Sequence, residues 1–419
     1  MKILLVADPT SPHTQKWARG WTARGVTVTV PSASLRPRRG RERYRDYLRG
    51  GPALQPLIAQ ADLVVAIGAS PYGVWAARGC CADEAQTKRA APPLVLFAAG
   101  SDIYLHHPHP PEDLLRGHRA LWYTKGGWLG RLEFRLRQHR YRANVASVLS
   151  RAQLVIASSR ALAGAVSAWF DVETSRVCVN RWGLDTVPYD EALSESPDPE
   201  DRPIHLLSPR GLRAVYRGEA VAEALVAVLE AHPRARATVL TGGSPVPRAA
   251  PQHARLHYET RFLGVPEMAQ LWATTTHMVS VPPYEAVSSV LYEAAYSNVV
   301  PIVYPNDATL EVFGNDMPMV PPLSDSGDRP QYGRLGGEGG DHTGAVFVHP
   351  PQKPSGLPNA IAAAIETALR LPPDVAAAIR ARNRAWAATE CRFEDNAAAL
   401  LGRLKDLLRM PEGADQVRP

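Results

Sequence analysis

Short, almost wholly apolar runs alternate with longer stretches of helical periodicity along the whole chain. Lys2–Ala7 (KILLVA) reads as a buried strand. A helix over Thr14–Arg24 follows and stops at Gly25, and Val26–Val30 makes a second strand. Leu63–Ile67, Leu94–Phe97, Leu154–Ala157 and Val177–Val179 continue the series. Strands that are apolar at successive rather than alternate positions are buried on both faces, as in a parallel sheet covered by helices.

The acidic, proline-bearing stretch Tyr189–Pro203 (YDEALSESPDPEDRP) shows no periodicity and reads as an interdomain linker. Beyond it the alternation restarts. The expected elements are a strand over Ile204–Leu207, a helix over Glu219–His232 and a strand over Ala237–Thr241, then a strand near Tyr258–Leu263 and a helix over Pro266–Thr275. Strand Met278–Val281, helix Ser289–Ser297 and strand Val300–Tyr304 come next. Pro321–Asp341, rich in Gly, Pro and Asp, reads as a long loop, and helices over Pro358–Leu371, Pro373–Ala388 and Glu394–Arg409 close the chain. The prediction is an α/β protein of two doubly wound domains, residues 1–188 and 204–390, joined by a linker at 189–203.

Composition narrows this picture. With 45% hydrophobic and 21% charged residues over 419 positions, both halves can bury a core. No apolar run approaches the roughly 18–20 residues of a membrane span, and the first residues lack a signal-peptide pattern. Cys80, Cys81, Cys178 and Cys391 form no CxxC pair, so neither a disulfide framework nor a structural zinc site is expected, and the setting is read as cytoplasmic. The net charge of +6 is spread along the chain; it is weak evidence for nucleic acid, which is not expected as a partner, and fits anionic phosphate ligands or an anionic membrane surface equally well. The run His106, His107, His109 has no zinc-ligand spacing. The basic stretch Arg131–Arg142 lacks a clean apolar stripe, which limits membrane contact to a peripheral kind.

Candidate chemistry concentrates in Val279–Tyr304 (VSVPPYEAVSSVLYEAAYSNVVPIVY), where Glu285 and Glu293 are separated by seven residues. The strand before them ends in Pro282-Pro283, which places Glu285 in the loop at its carboxyl end, where open α/β sheets collect ligands. Ser288 or Ser289 starts the following helix. The unpaired amides of Ser288, Ser289 and Val290 suit a phosphate, with a carboxylate on either side for hydroxyl groups. Two glutamates at this spacing also fit a helix that merely faces solvent.

The segment resembles the E-x7-E signature of family-4 retaining glycosyltransferases of the GT-B fold. Glu285, Glu293-Ala294-Ala295 and Asn298 stand in register, and Pro301, Ile302 and Val303 follow one residue late. The chain departs in having Ala286, Val287 and Ser288 where the family favours glycines. Leu207–Gly218 (LSPRGLRAVYRG) resembles the family's strand-end Arg and its Lys-Gly, which assigns Arg210 and Arg217. Phe262–Trp272 (FLGVPEMAQLW) resembles the loop that touches the nucleotide base, which brings in Gly264, and Val179–Asp185 resembles the turn closing the first domain. Ala99-Gly100-Ser101-Asp102 resembles an acceptor-side motif, with Ala99 where some relatives have His. Asp102 serves either an acceptor hydroxyl or the cap of its own helix. His13 and Thr14, in the loop after the first strand, are further acceptor candidates.

The resemblance implies two Rossmann-like domains facing across a cleft, with a helix in 391–419 crossing back to the first. It implies a retaining transferase that takes a nucleoside-diphosphate sugar and an alcohol or amine acceptor, and needs neither metal nor other cofactor. In that scheme Glu285, Arg210 and Arg217 act at the reacting end. Glu293, Ser288, Ser289, Val290 and Gly264 hold the donor, and natural-product or cell-envelope glycan assembly is the expected context. The missing glycines leave open a nucleotide-sugar-binding protein without catalysis. A dinucleotide oxidoreductase would need a GxGxxG after a first strand, and neither Asp8–Gln15 nor Gly242-Gly243-Ser244 supplies one.

Overall fold

A computed structural model of the chain describes residues 1–31, 53–87, 91–104, 128–314, 344–348 and 354–409. These fall into two compact units, one holding the described residues up to Trp182 together with those from Glu394 onward, the other holding Gly183–Phe393. The expected loop Pro321–Asp341 and the histidines His106, His107 and His109 lie outside the described residues.

The first unit is built on a parallel sheet of six strands: β1 Lys2–Val6, β2 Thr27–Thr29, β3 Leu63–Ile67, β4 Leu94–Phe97, β5 Leu154–Ala157 and β6 Val177–Val179, in the order β2-β1-β3-β4-β5-β6. Ile3 to Val6, Leu63 to Ala66 and Leu94 to Phe97 are all buried, which accounts for their unbroken apolar runs. The first helix, Pro12–Thr22, begins two residues before the expected start. Pro12 suits the first turn, where its missing N–H is not needed, and Trp17 and Trp21 pack inward. The Arg131–Arg142 stretch lies within one long helix, Trp128–Arg151.

The second unit repeats the plan with β7 His205–Ser208, β8 Arg236–Leu240, β9 Leu256–Glu259, β10 His277–Ser280, β11 Val300–Val303 and β12 Val346–Phe347, ordered β12-β11-β10-β7-β8-β9. Counted from the start of this unit, the order is the doubly wound 3-2-1-4-5-6, and the winding reverses between β7 and β10. Val279, Val300, Ile302, Leu225, Val228 and Ile365 sit in one core cluster between the sheet and its helices. β9 ends earlier than expected because Glu259 accepts the Arg261 N–H at 2.8 Å, turning the chain and leaving Phe262 exposed.

The linker expectation for Tyr189–Pro203 is corrected. Val187–Ser194 is a helix with Pro188 in its first turn. It buries Tyr189 and Ala192, which stand three residues apart on one face, and packs on the Val265–Ala273 helix. The neighbouring Asp190 and Glu191 disguised this stripe. Further along, Arg202 is buried and donates to the Pro197 carbonyl at 2.9 Å. The chain passes between the units at Trp182–Gly183 and again at Phe393–Glu394, inside the Phe393–Arg409 helix.

Candidate functional site

Strands β7 and β10 flank the winding reversal of the second unit, and the segments that leave their carboxyl ends carry the charged residues. Arg210 follows β7 by two residues. After β10, Pro282 and Pro283 carry the chain to Glu285, and the Pro282 carbonyl accepts the Asn306 side-chain amide at 2.9 Å. Asn306 in turn caps the Asp307–Phe313 helix, so the loops after β10 and β11 are tied together.

The structure brings Arg210, Glu285 and Ser288 into direct contact: the Arg210 Nη2 group reaches both Glu285 Oε1 and Ser288 Oγ. The side chains of Arg210 and Glu285 are only 13% and 7% exposed, so each charge depends on a partner rather than on water. Burial lowers the Arg210 pKa to about 10, opposed by Tyr216 and Glu293, and the group remains a cation at neutral pH. Its guanidinium carbon lies 5.3 Å from the Tyr216 ring centre. Glu285 Oε2 and Arg210 Nε are buried without a hydrogen-bond partner in the protein. Buried polar atoms are otherwise almost always satisfied, so a buried carboxylate oxygen left over beside a cation points to a ligand that donates to it.

Ser288 is the N-cap residue of the Ser289–Tyr296 helix, but its hydroxyl turns to Arg210 and makes no capping bond. The first-turn amides at Ser289 and Val290 therefore lack the usual side-chain acceptor. Arg217 lies over the Tyr304 ring at 4.2 Å, with Tyr304 directly after β11. The left-handed backbone of Arg217, φ 55°, starts the Gly218–Ala231 helix. A Cβ on Gly218 would stand 2.4 Å from the Leu212 Cα and 2.6 Å from the Gly211 carbonyl oxygen, so only glycine lets this turn close. Gly218→Ala is expected to shift the Arg210–Arg217 loop and to destabilise the second unit by about 1–3 kcal/mol, measured as a lowered urea midpoint.

Glu293 sits one turn into the same helix. Its Oε2 accepts the Trp272 indole N–H at 2.8 Å, and the Tyr189 hydroxyl hydrogen-bonds to it. Gly264, the remaining donor-side candidate, caps the Val265–Ala273 helix, and its own N–H is taken by the Glu267 carboxylate at 2.8 Å. That backbone N–H is thus already bonded within its own helix, to the carboxylate of the third helical residue.

In the first unit, His13 lies in the opening turn of the Pro12–Thr22 helix rather than in a loop, its ring 5.2 Å from that of Trp182. Trp182 stacks on Phe97, at the end of β4, at 5.2 Å and 24°. Burial first, then Lys16, lowers the His13 pKa to about 4, so the imidazole is neutral at pH 7. Thr14 is 1% exposed and belongs to the core, which corrects its assignment as a loop contact. Asp102 falls in the Gly100–Tyr104 helix, and its side chain lies outside the described residues. Among the described residues no cluster of His, Cys, Asp and Glu forms a metal-binding group, and no helix is long and apolar enough to cross a membrane.

Sequence reasoning did not single out Tyr189 and Tyr304. The first was hidden in an acidic run, and the second is one more residue at the end of an apolar strand. Trp272 entered only as the aromatic end of a resembling segment.

No protein-family model matches the chain, and no curated protein matches it in sequence. Solved structures do match in shape. The sucrose-phosphate synthase of Thermosynechococcus elongatus superimposes with a TM-score of 0.66 at 14% identity, over 98% of this chain and 99% of that one. The α,α-trehalose-6-phosphate synthase of Burkholderia multivorans gives 0.61 at 11% identity, over 98% and 99%. Anabaena HepE in complex with UDP gives 0.55 at 14% identity, over 97% and 100%. These likenesses, with the two six-stranded parallel sheets, establish the fold as GT-B, built of two Rossmann-like α/β units.

Proposed function

We propose that this chain is a glycosyltransferase that moves a sugar from a nucleoside-diphosphate sugar to a hydroxyl or amine acceptor, retaining the anomeric configuration and using no metal. The observation that carries this reading is the Arg210–Glu285–Ser288 cluster at the winding reversal, with one Glu285 oxygen buried and unsatisfied. The shared fold with sucrose- and trehalose-phosphate synthases and with a UDP complex of HepE supports it.

In this reading the donor diphosphate lies at the amides of Ser288, Ser289 and Val290, with Arg210 and Arg217 beside it. Fixed cations and a helix N-terminus gain strength as the sugar–diphosphate bond breaks and the departing oxygen takes the electron pair. They act on rate to the extent that they bind this state more tightly than the intact donor. Glu285 accepts a hydroxyl of the donor sugar and Glu293 the ribose diol. The acceptor atom bonds to the anomeric carbon on the face the diphosphate leaves, and its proton passes to the diphosphate oxygen. His13 and Trp182 belong to the acceptor side, and the neutral imidazole there can accept a hydrogen bond from an uncharged hydroxyl. The chain works in the cytoplasm on small-molecule acceptors of natural-product or cell-envelope glycan assembly.

The test is release of nucleoside diphosphate from a panel of UDP-, GDP-, ADP- and dTDP-sugars with mixed alcohol and amine acceptors. Turnover should persist in EDTA, and Glu285→Gln should lower it by roughly 10²-fold with the best donor. Full activity in that variant would remove the carboxylate assignment, and loss of activity in EDTA would remove the metal-independent one. Tight donor binding without turnover would assign a nucleotide-sugar-binding protein instead.

A further inference from the structure

Glu293 stands where three helices of the second unit meet. It lies on the Ser289–Tyr296 helix, and its carboxylate takes donors from the two others. The Trp272 indole N–H comes from the end of Val265–Ala273, and the Tyr189 hydroxyl from Val187–Ser194. Trp272 is 0% exposed and Tyr189 2% exposed. Two donors fixed in packed aromatic rings leave a carboxylate little freedom to rotate, and each charge-assisted bond favours one orientation. Burial and then Glu293 raise the Tyr189 pKa well above its ordinary value, so the phenol keeps its proton and remains a donor at neutral pH. The Glu293 charge is also felt at Arg210, which joins this junction electrostatically to the candidate anion site.

We infer that Tyr189 and Trp272 are positioning residues: they fix the Glu293 carboxylate for the ribose diol and so set the selectivity for ribo- over 2′-deoxyribonucleotides. This rests on the proposed role of Glu293 as the ribose ligand. A glutamate that merely pinned the three helices would make the same internal bonds and would have no bearing on the sugar of the nucleotide. The second helix is fastened separately. Asp190, one residue after Tyr189, accepts the Tyr296 hydroxyl at 2.8 Å and the Arg384 guanidinium at 3.0 Å. Asp190 thus holds the same pair of helices together without itself contacting Glu293, so loosening the helix can be compared with removing a donor from the carboxylate.

The experiment measures, on the full chain, the dissociation constants of UDP, GDP and ADP and of their 2′-deoxy counterparts, together with melting temperatures. For the best ribonucleotide the wild type should favour ribo over deoxy by about tenfold or more, as expected for hydrogen bonds to a charged group. Tyr189→Phe and Trp272→Phe should each bring that ratio to within about threefold of one. Asp190→Asn, which loosens the same helix without touching Glu293, should melt lower and keep the wild-type ratio. A wild-type ratio preserved in Tyr189→Phe overturns the positioning role and leaves the Glu293 assignment standing. So does a ratio lost equally in Asp190→Asn. A wild-type ratio near one overturns both, and absence of any nucleoside-diphosphate binding overturns the proposed function itself.

Discussion

Replacing Arg210 by methionine is expected to lower nucleotide-sugar turnover by roughly 10²–10³-fold and to destabilise the second unit at the same time. Methionine keeps the length of the side chain and removes the cation. Under the proposed mechanism the leaving diphosphate loses a fixed positive charge, and in any case Glu285 loses the partner that makes its ionised form tolerable at 7% exposure. Removing one member of a buried pair costs about 3–5 kcal/mol, because the other is left uncompensated. The two effects separate in a double-mutant cycle. Arg210→Met with Glu285→Gln should recover much of the stability and none of the rate. Arg210→Lys should fall between, since an ammonium cannot reach Glu285, Ser288 and a phosphate with the fixed fork of a guanidinium. Steady-state rates and urea midpoints for the four proteins of the cycle and for Arg210→Lys decide the matter. Turnover of Arg210→Met within tenfold of wild type would remove this residue from the chemistry.

Most strands of the two sheets were legible in the sequence because they are buried on both faces, which leaves unbroken apolar runs such as Ile3–Val6 and Val300–Val303. The two-residue strand β12 Val346–Phe347 was too short to give such a run and was not expected. The position of Glu285 was legible for a related reason. A strand that ends in Pro282-Pro283 must release the chain at the sheet edge, and a serine pair follows at helix-start distance. What could not be read was anything that depends on three-dimensional partners. Tyr189 carries no local signal of its contact with Glu293, since the two stand far apart in the chain and Tyr189 is flanked by acidic residues that mimic a linker. The pairing of Arg210 with Glu285 likewise follows from the adjacency of β7 and β10, which is a property of the sheet order and not of either segment. Thr14 was misplaced because a polar residue at a helix start reads as exposed, whereas here the helix begins two residues earlier and turns it inward.

Stability should fall steeply as the pH is lowered from about 6.5 towards 4, and three histidines carry the effect. His13, His205 and His277 each have the folded pKa lowered from 6.5 to about 4, in every case chiefly by burial. Lys16 adds to this at His13. Arg236 does so at His205 against the Thr274 carbonyl, and Arg380 at His277 against the Ala368 carbonyl. The sign follows from proton counting. Between pH 4 and 6.5 the unfolded chain binds protons at these rings and the folded chain does not, so stability rises with pH across that window. It is complete above about 6.5, and these groups add no further loss below 4. A separation of this size corresponds to an upper bound on the order of 3 kcal/mol per ring. His205, 3% exposed and held by the Thr238 hydroxyl at 2.9 Å, should come nearest to it, while the half-buried His13 and His277 should contribute less. Even the discounted sum is comparable to the total stability of an ordinary domain. Glu259, whose carboxyl Arg261 holds below its usual range, is exposed to the same titration only at lower pH, so the histidine window is read separately. The measurement is the melting temperature from pH 8 to pH 4 for the wild type and for His205→Gln. The wild type should hold a plateau above 6.5 and drop below it, and the variant should start lower and drop less. Parallel profiles for the two proteins would show that protonation of His205 is not what acid exploits.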